Sequence, residues 1–542
     1  MSPSSSPGRV STGARAPAAT AATTPDMHCW AKFRPRPQDS YSGEYGFDWI
    51  DWKRDPNRRN DEMTKVVDKP IATLSHCYDA HQQQYLPVAK DIHLQSKLQA
   101  EYQRLMIYGE DYYAGWLSLR PGQEVKLYMA VEALNQAPVK GDYLTIKTHA
   151  NYQVTMDGQV GPAIRIVPRA GSSPASPQLV DVVIKCLRPT PDTALQVLDE
   201  KGQLVGQLNI VSNARTYHLP VRVVYLVKDG PGTAASLAKL QANFTSLNLD
   251  YYFRHQSFNQ AQIQVEFEKT NQVHQLVFKQ AEWAGKFYDV ANNWFTDYVV
   301  LDPKTKVIKQ QTIFLDKVLT DYMAKYEKGA TPFRGILLVM TDIKKNPADG
   351  EGGVSRVRPV TFRETLIYDT NLKDRISYAH EIGHALGLDH IFIDKGTNAD
   401  ITSFIGFVKA YENYLASLQQ VKKSYADRVR FYQSAIAQQR ADLVRSPKPS
   451  ATQKQQLEQA IKTNTTSLNE QQKLAAENDK VIADAEKSLL ANRQSLLTFA
   501  ANPFKFTQSS TDNYMDYNNL ATRFLHWQWK VMQRDVATYY GK

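Results

Sequence analysis

Short stretches in which apolar and polar side chains alternate fill residues 117–213 and are separated by glycine, proline, asparagine and aspartate. Alternation with a period of two is typical of strands that bury one face of a sheet. Six strands are predicted: Glu124–Val131, Leu144–Thr148, Ala163–Val167, Val180–Leu187, Thr193–Leu198 and Leu204–Val211. Turn residues at this spacing indicate an antiparallel β-sandwich of immunoglobulin-like type, an architecture used mostly for binding or spacing.

Strands and helices follow one another from residue 214 onwards, which indicates a different domain over residues 214–402. Its predicted elements are strand His218–Val227, helix Thr233–Leu247, strand Ile263–Glu268, helix Ile313–Tyr326 and strand Gly335–Thr341. Phe362–Tyr368 then alternates like a half-exposed strand at the edge of a sheet, directly before a helix over about Lys373–Leu386. The fold class predicted for the whole chain is therefore multidomain α+β, a sandwich followed by an α/β domain.

Two long stretches between residues 403 and 500 repeat their apolar positions every seven residues, as helices in a coiled coil do. The repeated positions include Leu415, Val429, Ile436 and Leu443 in the first stretch and Ile461, Leu468, Ile482, Leu489 and Leu496 in the second. Two prolines within Arg445–Ser450 must break the helix between them. Residues 403–500 are therefore predicted to be an inserted antiparallel hairpin of two helices, roughly 60 Å long at ~1.5 Å per residue.

In the second stretch, the other set of positions that repeats every seven residues is mostly polar and includes Asn464, Gln471 and Asn478. The two helices should therefore pack weakly on each other. The hairpin is therefore either a stiff solvated spacer or an arm on which a substrate or delivery partner docks. Its 14 lysines and arginines against 9 aspartates and glutamates give +5 of the chain's net charge of +10. Residues 501–542 return to the α/β domain and include a predicted closing helix over Ala521–Tyr539.

The beginning of the chain has two distinct parts. Residues 1–26 are mostly serine, proline, alanine, threonine and glycine, and this composition predicts a disordered tail. Residues 27–116 are rich in aromatic side chains, densest in Gly43–Trp52. These rings either form a platform for a carbohydrate or partner or pack against a neighbouring domain.

Composition limits the class of protein. The 542 residues suffice for two or three domains, and 42% apolar with 22% charged residues is ordinary for a soluble protein. The sequence contains no run of eighteen apolar residues, so no transmembrane helix is predicted. No nucleic-acid partner is expected either. Cys29, Cys77 and Cys186 lack the spacing of a metal site and are either thiols or one disulfide and a thiol. The first residues lack the apolar region of a secretory signal, so we expect secretion by a leaderless route or a cytoplasmic location.

The chemistry is concentrated in the segment from His380 to His390. His380 and His384 are four residues apart, so on a helix both imidazoles lie on one face and can bind one cation. Gly387 can adopt the left-handed backbone that ends a helix, which would turn His390 back towards the same cation. Three neutral imidazoles with one open position are the ligand set of a catalytic Zn²⁺. Glu381 adjoins the first histidine and can take a proton from a water on the metal.

This motif is specific. A bare His-Glu-x-x-His arises by chance in roughly a few per cent of chains this long, whereas adding the glycine and third histidine lowers the rate to about one in ten thousand. The full string resembles the signature of the metzincin zinc endopeptidases. His-Ala-Leu-Gly-Leu-Asp-His is similar to the matrixin branch, although Ile391, the residue after the third histidine, matches neither the matrixin pattern nor that of the astacin and serralysin branches.

Metzincins also carry a methionine turn beneath the zinc, and Asn513-Tyr514-Met515-Asp516-Tyr517 is the candidate here. Met-x-Tyr resembles the astacin and serralysin branches, where the tyrosine reaches the metal and stabilises the reaction intermediate. That resemblance implies that Met515 forms an apolar floor beneath the histidines and that Tyr517 binds the metal and stabilises the oxyanion. The alternative interpretation is that Tyr517 is an ordinary core tyrosine. His390 and Met515 are 125 residues apart, farther than is usual in metzincins, because the helical hairpin lies between them.

The resemblance implies a zinc-dependent metalloendopeptidase that hydrolyses protein or peptide substrates, with Glu381 as general base. An edge strand beside the zinc helix would pair with an extended substrate. Two alternatives stay open: a zinc hydrolase that acts on peptidoglycan peptides, and an effector or binding protein with a structural zinc. The leaderless start, the sandwich and the protease together resemble a bacterial secreted effector or toxin.

Overall fold

The computed structural model describes residues 28–35, 41–50, 64–66, 71–88, 93–134, 143–147, 149–160, 163–166, 177–269, 272–301, 308–347, 352–357, 362–517 and 521–540. The predicted disordered tail, residues 1–26, and the aromatic side chain of Trp52 lie outside these ranges. The described part is a mixed α/β protein with several sheets and one long helical hairpin.

The elements of the first 213 residues are almost all strands. They are β1 (Cys29–Pro35), β2 (Gly46–Asp48), β3 (Thr64–Val66), β4 (Ile71–Asp79), β5 (Gln84–Pro87), α1 (His93–Glu101), β6 (Arg104–Ile107), β7 (Glu110–Tyr113), β8 (Gly115–Ser118), β9 (Glu124–Ala133), β10 (Leu144–Lys147), β11 (Tyr152–Met156), β12 (Gln159–Val160), β13 (Ala163–Ile166), β14 (Gln178–Cys186), β15 (Thr193–Leu198) and β16 (Leu204–Ile210).

Strands and helices are mixed in the rest of the chain. The elements are β17 (Tyr217–Lys228), α2 (Thr233–Leu247), α3 (Leu249–His255), β18 (Ile263–Phe267), β19 (His274–Phe278), α4 (Gln280–Trp283), β20 (Tyr288–Asp289), β21 (Trp294–Phe295), β22 (Tyr298–Leu301), β23 (Ile308–Thr312), α5 (Phe314–Tyr322), β24 (Ile336–Thr341), β25 (Lys344–Lys345), β26 (Gly353–Ser355), β27 (Glu364–Ile367), α6 (Arg375–Ala385), α7 (Thr397–Val444), α8 (Ala451–Ala501), β28 (Phe504–Phe506) and α9 (His526–Asp535). Single π-helical turns extend α5 over Met323–Glu327 and α9 over Val536–Tyr540.

Two sheets of the first half face each other around one apolar core. Their strand orders are β1-β9-β14-β11-β12 and β13-β10-β15-β16-β8-β2. Alternate side chains of both sheets meet inside, among them Leu127, Ile146, Val182 and Val197. All six strands predicted from the alternating pattern are present. The sheets also include β1, β2 and β8, so they draw strands from the aromatic-rich region before residue 117.

A third sheet, of order β18-β17-β24-β27-β26, is the centre of the second half. Strands β17, β18, β24 and β27 are parallel, and β19 pairs with the second half of β17 on the same side as β18. Both faces are covered, because Leu338 and Met340 pack with α6 on one side while Leu337 and Val339 pack with α5 on the other. The strands and helices predicted between residues 218 and 341 are confirmed, with α5 ending as a π-helical turn.

The predicted edge strand Phe362–Tyr368 is wrong in one respect. A strand is present there, but β27 lies between β24 and β26, and all four of its residues are buried. The outermost strand is β26, which runs antiparallel to β27. The alternation was misleading because Glu364 and Thr365 are polar yet buried; the hydroxyl of Ser355 donates to that of Thr365 at 2.9 Å.

Most of the described aromatic side chains in the N-terminal region are buried between neighbouring elements, which supports the packing interpretation. Phe47 and Trp49 lie in the core shared by the two facing sheets. Further along, Leu74, Cys77 and Tyr102 join the core beneath the third sheet. Strand β4 pairs with β28, which follows the hairpin. The three cysteines are buried and none forms a disulfide.

The helical hairpin is present and antiparallel. Its helices contain 48 and 51 residues and therefore extend roughly 75 Å at ~1.5 Å per residue, somewhat longer than expected. Lys422 on α7 forms an ion pair with Asp479 on α8 at 2.9 Å. The polar row faces the partner helix as predicted, because Asn464 Nδ2 donates to Gln439 Oε1 at 3.1 Å and Asn478 is buried. Within the described residues, no helix combines the length and apolar character needed to cross a membrane.

Candidate metal centre

Helix α6 carries the first two histidines of the motif into a buried site. The side chain of Asp374 begins the helix by accepting hydrogen bonds from the backbone N–H groups of Ile376 and Ser377. Its apolar face, with Ala379 and Ile382, packs against the third sheet. His380 and His384 lie one turn apart on α6, and their ring centroids are 4.6 Å apart.

Gly387 turns the chain so that the third histidine can return. Its φ of +81° lies in the left-handed region, which glycine adopts without steric cost, and this confirms the predicted helix end. The N–H of Leu388 donates to the carbonyl of Gly383 at 3.0 Å. A side chain is also excluded, since a Cβ at Gly387 would lie 2.1 Å from Asp535 Oδ2. Two independent constraints therefore require glycine at this position.

The three predicted ligands converge. His384 Nε2 lies 3.0 Å from His380 Nε2 and 3.2 Å from His390 Nε2. Ligand nitrogens ~2.0–2.1 Å from a tetrahedral zinc are about 3.3 Å apart, so these nitrogens occupy nearly the positions that a single Zn²⁺ requires. No other cluster of three or more histidine, cysteine or carboxylate side chains with this spacing occurs in the described ranges.

Hydrogen bonds fix which nitrogen of each ring points to the centre. Nδ1 of His380 bonds the carbonyl oxygen of Tyr514 at 2.7 Å, and Nδ1 of His384 bonds that of Leu388 at 2.8 Å. Nδ1 of His390 bonds Asp394 Oδ2 at 2.8 Å. Carbonyl oxygens only accept, so Nδ1 carries the proton in the first two rings and each Nε2 keeps its lone pair for a metal.

Burial keeps the first two imidazoles neutral. Desolvation, with a smaller contribution from nearby His390, lowers the pKa of His380 to about 3. Desolvation and the neighbouring imidazoles likewise hold the pKa of His384 well below its usual value. Neutral rings are the form that binds a metal, so the environment favours the ligand state near neutral pH. The donor set and its protonation both fit Zn²⁺.

The methionine turn lies directly beneath α6. Met515 is fully buried, and a Cβ at Gly383 would lie 2.8 Å from its sulfur, so this glycine leaves room for the methionine. The carbonyl of Met515 accepts the N–H of Ile391 at 3.0 Å. Asp516 shapes the turn, because its carboxylate accepts the N–H groups of Ser509 and Thr511.

Tyr517 extends from this turn to the histidines. Its hydroxyl lies 3.2 Å from His390 Nε2, and its ring lies 5.0 Å from that of Phe392. The residue is 55% exposed, so it is not an ordinary core tyrosine. The structure therefore brings Tyr517 to the open side of the three-histidine cluster, beside the position where a fourth ligand or a substrate oxygen would lie.

Glu381 is buried between helix α6 and the outermost strand of the third sheet. It is only 7% exposed. A Cβ at Gly353 of β26 would lie 2.8 Å from Glu381 Cγ and from Oε1, so the backbone of this strand passes directly over the side chain. Strand β26 therefore fixes where Glu381 can be, and sequence reasoning did not identify that relation.

Sequence reasoning also missed the groups that hold the histidines. Asp394 follows His390 by four residues, a spacing that could have suggested a partner for the imidazole. Phe392 stacks on His390 with ring centroids 4.8 Å apart. The carbonyl of Tyr514 is 134 residues from His380, and nothing in the sequence connects a main-chain oxygen to a ring at that distance.

Comparisons with known proteins add little to this geometry. No protein-family model matches the sequence, and no curated protein matches it. Part of the chain is similar to a solved structure of the Pseudomonas fluorescens alkylpurine DNA glycosylase AlkC bound to DNA containing an abasic site analog, at 16% identity. The match covers 18% of this chain and 28% of that chain with a TM-score of 0.11, a likeness that carries no argument about fold or function.

Proposed function

We propose that this protein is a zinc-dependent endopeptidase of metzincin type. The observation that carries the proposal is the convergence of three imidazoles: Nε2 of His380 and Nε2 of His390 lie 3.0 Å and 3.2 Å from Nε2 of His384. Each opposite nitrogen bonds a protein oxygen, as expected for metal-binding histidines. The buried Glu381 and the buried Met515 beneath α6 are the other two residues that a metzincin site requires.

The chain's own residues divide the work of hydrolysis. Bound Zn²⁺ would supply Lewis acidity, lowering the pKa of a water to about 7 and polarising the scissile carbonyl. Glu381 accepts the proton of the attacking water and passes it to the leaving amine. Tyr517 donates a hydrogen bond to the negative charge that develops on the carbonyl oxygen. Met515 takes no proton and serves as an apolar support beneath the histidines.

The substrate of this proposal is a protein or peptide in extended form. Strand β26 is the last strand of its sheet and pairs only with β27 among the described residues. Because this strand lies against Glu381, an edge that no other described strand pairs with is next to the proposed reacting groups. A peptide that adds to this edge would be held by main-chain hydrogen bonds, with pockets for alternate side chains.

The same proposal assigns the remaining parts of the chain. The facing sheets would be an immunoglobulin-like sandwich that binds or spaces, and the protein would act as a secreted effector. A structural zinc site is the rival interpretation, and it is disfavoured because Glu381 is a buried carboxylate beside the ligands and Tyr517 leaves the fourth side exposed. A structural site needs neither a base nor an accessible position.

Identification of new protein termini tests the proposal. A mixed proteome is incubated with zinc-loaded wild type or with Glu381→Gln, and cleaved termini are identified by mass spectrometry. Termini made only by the wild type support an endopeptidase. Zinc binding without new termini in either sample would refute it, and cleavage of peptidoglycan peptides alone would identify the other hydrolase class.

A further inference from the structure

The loop that carries His390 is held at its far end by the first helix of the hairpin. Asp394, whose carboxylate bonds His390 Nδ1, also accepts the backbone N–H and the hydroxyl of Thr397 through its carbonyl. Thr397 is the first residue of α7. A single residue, Asp394, therefore links the third candidate ligand to the first residue of the hairpin through hydrogen bonds.

Asn502, at the end of α8, holds the near end of the same loop. Its Nδ2 donates to the carbonyl of Gly387 at 2.9 Å, and its Oδ1 accepts the N–H of Asp389 at 3.1 Å. These two groups flank Leu388, whose carbonyl orients His384. Nδ2 also lies 2.9 Å from the carbonyl of Thr498, and the side chain is almost fully buried. One amide therefore fixes the peptide that positions the second ligand.

Lys505 makes the third attachment. Its ammonium donates to Asp389 Oδ2 at 3.1 Å and to the carbonyl of His390 itself. The side chain of Lys505 is 1% exposed and that of Asp389 9%, so both charges are out of water. A buried charge that loses its partner is strongly unfavourable, and this favours keeping the two groups in contact. Oδ1 of the same carboxylate accepts the N–H of His390 at 3.0 Å.

We propose that Asn502 and Lys505 are positioning residues of the metal centre, so that the returning end of the hairpin sets the geometry of the second and third ligands. The inference rests on the proposed zinc function. Its physical basis is that a metal discriminates ligand positions at the scale of a few tenths of an ångström, and groups that orient ligands change metal affinity or activity by roughly 10- to 100-fold. Both residues lie more than 110 positions along the chain from the loop they hold.

Two asparagines, one within α8 and one directly after its last residue, test the role of Asn502. Asn502→Ala removes both bonds to the loop, whereas Asn492→Ala removes only a bond within α8, from Nδ2 to the carbonyl of Ser488. We expect Asn502→Ala to weaken Zn²⁺ binding roughly 10- to 100-fold in competition with a chelator. The visible spectrum of the Co²⁺-loaded protein should also change. Asn492→Ala should match the wild type in both measurements.

The ion pair separates positioning from mere stability. Lys505→Met leaves Asp389 buried without its cation and should lower the melting temperature. Adding Asp389→Asn removes the second charge and should restore the melting temperature while the zinc affinity stays low, because the attachment to the loop is still missing. If Asn502→Ala does not accumulate as folded protein, this restored double variant decides the question.

The outcomes are distinct. Unchanged zinc affinity and cobalt spectrum in folded Asn502→Ala, or full recovery of zinc affinity with the melting temperature in the double variant, overturns the positioning role. A wild-type protein that binds no zinc refutes the proposed function instead. Weaker zinc binding at normal stability supports the inference, and normal zinc binding in Asn492→Ala shows that the effect is specific to the loop.

Discussion

At the scale of single residues, the candidate metal centre depends on the protein oxygens that orient the imidazoles. The carbonyl of Tyr514 is hydrogen-bonded to Nδ1 of His380, and the carboxylate of Asp394 is hydrogen-bonded to Nδ1 of His390. Nε2 of each ring therefore remains available to bind a metal. Because burial lowers the pKa of His380 to about 3, few protons compete with the metal near neutral pH. The site is therefore preorganised for a cation in both geometry and protonation.

The histidines and the adjacent glutamate should separate metal binding from hydrolysis. His384→Ala removes one of three ligands and should abolish stoichiometric zinc, measured by elemental analysis. Glu381→Gln keeps every ligand and should retain one zinc per chain while peptide turnover falls by roughly 10²- to 10⁴-fold, since only the base is lost. Full zinc in His384→Ala would show that the metal binds elsewhere.

Tyr517 should affect turnover more than binding. Tyr517→Phe removes the hydroxyl that lies 3.2 Å from His390 Nε2 and should lower kcat by roughly 10²-fold if that hydroxyl stabilises the developing oxyanion. Zinc content and KM should change little, because the three histidines remain. Tyr414→Phe, at an exposed position on α7, is the control. Equal kcat in Tyr517→Phe and wild type would make the tyrosine structural.

The buried carboxyl of Asp535 should make stability depend on pH in a defined direction. Burial raises its pKa to about 6, so the folded protein favours the neutral form. Its contribution is complete below the usual aspartate pKa and is lost as pH rises through about 6. Denaturant unfolding at pH 5 and pH 8 should show a smaller loss of unfolding free energy in Asp535→Asn than in the wild type. Exposed Asp400→Asn should behave as the wild type.

At the scale of elements, the pattern of apolar and polar residues predicted the strands and helices better than it predicted which elements lie next to each other. Helix Thr233–Leu247 was predicted at its observed bounds because its apolar positions and turn residues are local information. The place of β27 was not, since Glu364 and Thr365 imitate exposed polar positions although the fold buries them. The spacing of His380, His384 and His390 predicted the candidate ligands, but the contact between Gly353 of β26 and Glu381 of α6 joins a strand and a helix that are distant in sequence, so no sequence pattern reveals it.

That contact gives a test of the outermost strand. Gly353→Ala places a Cβ 2.8 Å from the Glu381 side chain, so the carboxylate proposed as the base must move by several tenths of an ångström. We expect retained zinc and fold with a lower kcat for peptide hydrolysis. Gly406→Ala on α7, where a Cβ meets nothing within 4 Å, is the matched control. Equal kcat in both variants would mean that Glu381 tolerates displacement or is not the base.

At the scale of the whole molecule, the hairpin is less separate than its sequence suggested. Its base includes Ile401 and Phe499, which pack with Tyr78 and Tyr85 of the β4–β5 hairpin. The hydroxyl of Tyr85 donates to the carbonyls of Phe499 and Asn502. The predicted boundary at residues 403–500 therefore cuts through packed residues, because a heptad pattern does not reveal where one helix pair leaves the core.

A deletion above the packed base tests what the hairpin does. Glu412 and Arg493 form an ion pair at 2.7 Å across the two helices, so a short Gly/Ser linker can join these positions in place of residues 413–492. The base, Asn502 and Lys505 all remain, and loop length costs only slowly growing entropy. We expect normal zinc content and near-normal cleavage of a short peptide. Cleavage of natural protein substrates should fall if the basic helices hold a large acidic partner.

The wider deletion of residues 403–500 is the structural control for this variant. It removes Phe404 and Phe499 from the cluster that includes Tyr85, so it should lose thermal stability and zinc affinity together, whereas the shorter deletion should lose neither. Equal cleavage of natural and short substrates by the shorter deletion would make the distal hairpin a spacer. Failure of that shorter variant to fold would place the distal helices within the stabilising core, contrary to the exposure of Phe431 and Leu490 along them.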